Sequence, residues 1–236
     1  MKFRSSVSAI VFDCQPDYVR GVVVATGVNN QEKSPRVTDL LDQQINSVAS
    51  GMKAPGEKYD ELWMSCHRHF GSNPSQYPPA HMNLRKRVAK KGAIPFISNV
   101  VAIMNAFSLS TGLSIGGDHL GDGNIDVELR PATGNEFFTP LSRPDESQNP
   151  EPGEFIYVDS NSDVMCRRWN WQNSYVTRIR PETTIVAINI DALGEDAKRV
   201  CEQTAGLIGC EFGKLGANVE FGFIHRDSPS CEFELR

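Results

Sequence analysis

The hydrophobic positions change period along the chain, and those changes mark out its elements. Val7 to Phe12 and Val19 to Val28 are short β-branched runs on either side of a polar turn, Asp13 to Asp17, so the chain is expected to open with two strands. The period then becomes helical. Ser34-Pro35 supplies a cap and a first-turn proline, after which Val37, Leu40, Leu41, Ile45, Val48 and Met52 recur on one face, with the end near Gly51. A second helix is expected from Glu57 to Phe70, with Leu62, Trp63, Cys66 and Phe70 inward and Gly71 as its stop. After a loop from Gly71 to Ala80, a third helix runs to Gly92 on a narrow stripe of Leu84 and Val88. Ser98 caps a fourth, whose Val101, Met104 and Phe107 lead to a terminating Gly112, and a loop through Gly116-Gly117 follows.

Strand patterns return beyond that loop. Ile125 to Arg130 alternates, and Pro140, Pro144, Pro150 and Pro152 punctuate a connection that reads as an exposed loop up to Glu154. Glu154 to Asp159, Val164 to Trp171 and Thr183 to Asp191 read as strands, Glu195 to Cys210 as a helix, and Val219 to Ile224 as a final strand. Strands on both sides of a helical block imply an α+β fold, with mixed or antiparallel sheets packed around that block in a single domain spanning residues 1–236.

A chain of 236 residues can bury a sizeable core without a metal or a disulfide framework. The six cysteines form no paired motif and read as reduced core thiols. The opening MKFRSSVSAIVFD has too short an apolar run for a signal peptide or a membrane span, so the cytoplasm is the expected location, with no membrane partner. A net charge of -5 argues against non-specific coating of DNA or RNA, although a local basic patch can guide RNA.

Several segments carry candidate chemistry. Gly116-Gly117 lets backbone amides approach an oxyanion, or simply makes a turn; Asp118 with His119 and Asp122 could orient or deprotonate a water. Arg85, Lys86, Arg87, Lys90 and Lys91 make the third helix the most basic segment, suited either to an RNA backbone or to plain solvation. In CRRWNWQNS, strand alternation would put Arg167, Trp169 and Trp171 on one face, available to stack a base or hold a phosphate, or else to form core. CHRH (Cys66 to His69) with His81 has zinc-ligand residue types but no second pair at a structural-zinc spacing, so neither a metal nor another cofactor is expected. HRDSPSC reads as a strand end and tail.

The order of these features resembles a known family. HRHFGSNPSQYPPAHMNLRKRVAKKGAIPFISNVVAIMNAFSLSTGLSIGGDHL, followed by IDVELRPATGNEFF and GEFIYVDSNSDVMCRRWNWQNS, looks like the free-standing relatives of the tRNA-binding, editing domain in the beta subunit of bacterial phenylalanyl-tRNA synthetase. The resemblance runs from Glu57 to Asp191. It implies a tRNA-associated, trans-acting hydrolase of mischarged aminoacyl-tRNA, supplying selectivity that one hydroxyl's worth of binding cannot reach. On that reading Asp118 and His119 position the attacking water, and Asn99, Asn105, Gly116, Gly117 and Asn189 border the substrate. Arg85, Lys86, Arg87, Lys90, Lys91, Arg167, Arg168 and Trp169 would hold the 3′ acceptor end of the tRNA. Gly116 stands where the family has a histidine, and TTIVAINI lacks the family's acidic residue, Asn189 being its nearest polar group. Two other readings stay open: a non-catalytic module binding tRNA or a small amino-acid-like ligand, and a small-molecule hydrolase unrelated to tRNA.

Overall fold

The computed structural model describes residues 1–121 and 123–235; the candidate Asp122 lies outside them. β1 (Lys2–Val7) is followed by a short helix, α1 (Ala9–Cys14), where the apolar run predicted a strand. A short apolar run fits either period. Here Val11 and Phe12 are buried while Ile10 is 51% exposed, and the chain turns at Ser8 before β2 (Val19–Thr26).

The central helices follow the sequence pattern closely. They are α2 (Pro35–Ala49), a 3-10 turn at Pro55–Tyr59 leading into α3 (Asp60–His69), α4 (Ala80–Lys91) and α5 (Asn99–Thr111). Ser34 and Ser98 cap α2 and α5 by accepting from Val37 N–H and Val101 N–H. Gly92 and Gly112 end α4 and α5 in the left-handed conformation, which glycine adopts without a Cβ penalty.

The predicted glycine loop is a strand, β3 (Ser114–His119). Beyond it lie β4 (Ile125–Pro131), β5 (Phe155–Asp159), β6 (Val164–Arg167), the two-residue β7 (Gln172–Asn173), β8 (Ile185–Ala192), α6 (Ala197–Lys214), β9 (Asn218–Ile224) and β10 (Ser230–Glu234). The proposed tail is therefore a turn, bridged between His225 and Ser228, that leads into an edge strand pairing with β1. The proline-rich connection is pinned rather than loose: Phe138 and Glu136 are buried, and the Glu136 carboxylate accepts from Arg130 and from the Thr133 and Gly134 amides.

Two sheets result, ordered β10-β1-β4-β5-β6-β7 and β3-β8-β2-β9. Among the described residues β1–β4 is the one parallel strand pairing, beside an isolated parallel bridge between Phe137 and Asp163. Alternation divides the second sheet cleanly. Val19, Val23, Val186, Ile188 and Ile190 face α2, α4, α5 and α6 in one core, whereas Val22, Val24 and Ala187 join Phe3, Leu129, Phe155 and Trp169 in a second core between the sheets. This is the α+β architecture expected, with the helical block on one face of the four-stranded sheet. The six cysteines are free; Cys66, Cys166 and Cys201 are buried as expected, but Cys210 is exposed. Among the described residues no helix is long and apolar enough to cross a membrane.

Candidate functional site

A cleft of about 360 Å³ opens beside β3 and β8, between the sheets, and its position follows from strand parity. In the β3–β8 ladder Ser114 lies opposite Asp191, Gly116 opposite Asn189 and Asp118 opposite Ala187. Residues opposite one another share a face. Ser114, Gly116, Asp118, Asn189 and Asp191 therefore line the cleft together, while Val101, Met104 and Ile179 give it apolar walls.

The two glycines do different jobs. A Cβ on Gly117 would fall 2.6 Å from both Met104 Sδ and Ile188 Cδ1, so this position is glycine because α5 packs against it. A Cβ on Gly116 would meet nothing closer than Asn173, at 3.7 Å. Gly116 instead keeps the cleft open. Asn173 Nδ2 donates to the Gly117 carbonyl at 3.1 Å, so that carbonyl points away from β8, and the Gly117 N–H points the same way, as antiparallel geometry requires. By the same alternation the Gly116 amide turns into the ladder. Only one of the two expected amide donors is then available at the cleft.

Asp118 and His119 are separated by the same parity. Asp118 is 3% exposed and faces the cleft; His119 is exposed and does not line it. Thr177 Oγ1 donates to Asp118 Oδ1 at 2.6 Å, and Asn189 Nδ2 lies 3.5 Å from Oδ2. Burial raises this carboxyl to about 7, against the opposing effects of the Thr177 hydrogen bond and the Arg20 charge. It changes protonation near neutrality.

A second carboxyl, Asp191, lies one same-face step beyond Asn189. Its Oδ1 accepts from both Tyr18 and Tyr157 hydroxyls at 2.6 Å, and burial raises it above the ordinary carboxylate value. Arg20 completes this floor: it is fully buried, lies over the Tyr157 ring at 4.3 Å and donates from Nη2 to Asn189 Oδ1 at 2.5 Å. Sequence reasoning passed over Arg20, Tyr18, Tyr157, Asn173, Thr177 and Asp191. The available signal was the spacing: polar residues two apart in otherwise apolar strands (Tyr18 and Arg20, Asn189 and Asp191) put their chemistry on one face. Cys166 also lines the cleft, but burial raises its pKa well above the usual value and keeps it a thiol.

Other expected contacts fall elsewhere. Asn99 is buried and ties the loop before α2 to α5, donating to the Asn29 and Glu32 carbonyls and accepting from Ser34 N–H. Asn105 does not line the cleft, whereas its neighbours Val101 and Met104 do. Arg167 and Arg168 do not face solvent. Arg167 makes a two-pronged pair with Glu154, at 2.8 and 2.7 Å, and Arg168 reaches Glu151 at 3.2 Å and stacks over Tyr77. β6 ends at Arg167, and Arg168 and Trp169 both adopt left-handed backbone, which breaks the expected strand alternation. Trp169 is fully buried against Tyr18, Trp63 and Phe155, with an edge on the cleft wall. His67 bonds Asn170 inside the protein, and burial lowers it to about 4.

The basic helix divides as well. Arg85 is half-buried and paired with Asp60 and Glu57, whereas Lys86, Arg87, Lys90 and Lys91 are exposed. Ala80, the first residue of α4, lines the cleft, and its N–H donates to Asn170 O at 2.8 Å. The helix thus runs from the cleft wall to its cationic end in about 16 Å, at 1.5 Å per residue.

Fold and site together define an α+β domain with a polar-floored, apolar-walled cleft between its sheets. The B3/4 domain matches residues 63–207, and the chain belongs to that family. Among solved structures, an N-terminal fragment of the phenylalanyl-tRNA synthetase beta subunit from Pyrococcus horikoshii is similar, at 12% identity and a TM-score of 0.49. The similarity covers 92% of this chain and 50% of that one, so the chain spans about half the length of that fragment. No curated protein matches significantly.

Proposed function

We propose that the chain hydrolyses the ester of a mischarged aminoacyl-tRNA in trans, with the aminoacyl group held in the cleft and Asp118 as general base. The observation that supports this reading best is the polar floor: Asp118, Asn189 and Asp191 converge on one face of β3 and β8 in a cleft large enough for an amino-acid-sized group. Asp118 takes a proton from a water that attacks the ester carbonyl, and the Gly117 N–H receives the developing oxyanion. The tetrahedral intermediate then expels the ribose oxygen, which takes back the proton that Asp118 accepted, leaving the free amino acid and tRNA. Lys86, Arg87, Lys90 and Lys91 follow the RNA backbone away from the cleft mouth, as the direction of α4 allows. Arg167, Arg168 and Trp169 support the cleft wall instead of touching RNA, and His119 takes no part.

The test is deacylation of a panel of charged tRNAs, led by tyrosyl-tRNA(Phe), at low salt with and without the protein. Faster ester loss for one member, abolished by Asp118→Asn, is the expected result. No acceleration for any member overturns the hydrolase reading. Salt-sensitive tRNA binding in that case leaves the binding module, which the exposure of His119 already favours over a histidine-assisted mechanism.

A further inference from the structure

We infer that Arg20 and Thr177 are positioning residues that hold the Asp118 carboxyl from two sides and aim it into the cleft. The inference takes its kinetic consequence from the hydrolase reading and its geometry from the fold alone.

The argument begins with Asn189, whose amide can present either end. Arginine only donates. The 2.5 Å contact from Arg20 Nη2 therefore fixes the Asn189 carbonyl toward Arg20 and its NH2 toward Asp118 Oδ2. Arg20 is itself held by burial in β2 and by the Tyr157 ring. Without it, Asn189 is free to turn its carbonyl onto the Asp118 carboxylate, an acceptor against an acceptor, which only a protonated Asp118 tolerates.

Thr177 closes the other side. Its carbonyl accepts from His119 N–H at 2.8 Å, which sets it in register beside β3, and its hydroxyl then reaches Asp118 Oδ1 at 2.6 Å. With Oδ1 held strongly and Oδ2 only loosely, Oδ2 is the oxygen left to receive a proton from a molecule in the cleft. The charged and titratable groups around it are Asp191 from β8, Arg20 from β2, Cys166 from β6, Tyr157 from β5, Tyr18 just before β2 and Arg178 beside Thr177. Burial raises Tyr18, Tyr157 and Cys166, which stay neutral near pH 7, so Asp191 is the second carboxyl of this cleft that any titration has to separate from Asp118.

The experiment follows the carboxyl itself, by carbon NMR of aspartate-labelled protein, with the Asp118 signal assigned by its loss in Asp118→Asn and the Asp191 signal by its loss in Asp191→Asn. Thr177→Val removes a hydrogen bond to the charged form and moves the Asp118 midpoint up by about one pH unit, while Thr177→Ser restores it. Arg20→Met moves it in the same direction. Thr177 is only partly buried, so its variants keep the test decisive if Arg20→Met fails to fold. A folded Thr177→Val protein with an unmoved midpoint overturns the inference. On charged tRNA, the limb of the pH–rate profile governed by Asp118 shifts in parallel. A shifted NMR midpoint without turnover keeps the positioning role and rejects the hydrolase; turnover with an unshifted midpoint does the reverse.

Discussion

Replacing Asp118 with asparagine should stabilise the protein at neutral and alkaline pH, because burial in the native fold disfavours the ionised form of this carboxyl. Its ordinary value is 3.8 and burial raises it to about 7. Below pH 3.8 native and unfolded chains both carry the proton, and the group adds no pH dependence. Between the two values the unfolded chain releases its proton while the native chain keeps it, so wild-type stability falls as pH rises. A difference of about three units, at about 1.4 kcal/mol each, amounts to about 4 kcal/mol, complete once pH exceeds the native value. Asparagine has no such titration and still accepts from Thr177. The assay is urea unfolding of wild type and Asp118→Asn at intervals from pH 4 to pH 8.5. The pH dependence of distant groups cancels in the difference between the two proteins. That difference should move in favour of the variant by about 4 kcal/mol across the interval. A flat difference, or one that favours wild type more strongly as pH rises, would refute the argument that burial disfavours the Asp118 carboxylate.

Three further outcomes follow from the same geometry. Gly117→Ala should cost about 1–3 kcal/mol in thermal or urea unfolding, since its Cβ collides with Met104 and Ile188, whereas Gly116→Ala should leave stability nearly unchanged and weaken ligand binding or turnover in the cleft. Glu154→Gln should destabilise by about 3–5 kcal/mol in urea unfolding, because it leaves the buried Arg167 guanidinium without its two-pronged partner. Charge reversal at Lys86, Arg87, Lys90 and Lys91 should weaken tRNA binding and flatten its salt dependence by about 0.7–0.9 in log–log slope per lost phosphate contact, while Arg85→Ala should act mainly on stability through Asp60 and Glu57.

The helices were legible because their ends are written in short-range chemistry. Ser34, Ser98, Gly92 and Gly112 cap or stop them in the structure as the pattern implied. β3 was not legible, since SIGGDH has no alternation and its glycines look like a turn. The reason for Gly117 lies in α5 and β8, far away in sequence, where Met104 and Ile188 occupy the space of a side chain. α1 failed for a different reason: six residues are too few to separate a strand period from a helical one. The end of β6 failed because Arg168 and Trp169 take left-handed backbone to bring the indole into the inter-sheet core, a demand of tertiary packing that no local propensity expresses.

The site was half legible for one reason, strand parity. Asp118 and His119 looked like a pair because they are adjacent, yet adjacent residues on a strand point to opposite faces. The groups that do meet are two apart or opposite: Tyr18 with Arg20, Asn189 with Asp191, and Gly116 across from Asn189. A search for polar residues at that spacing in otherwise apolar strands would have found the cleft floor and placed His119 outside it. The arginines obey a different constraint. Arg167 and Arg168 are buried as charges paired with carboxylates, and those partners, Glu151 and Glu154, come from the end of a segment read as exposed loop. Once those glutamates are counted, RRWNW becomes the internal support of the cleft, and the cations left facing solvent in the segments singled out for RNA are the four exposed side chains of α4.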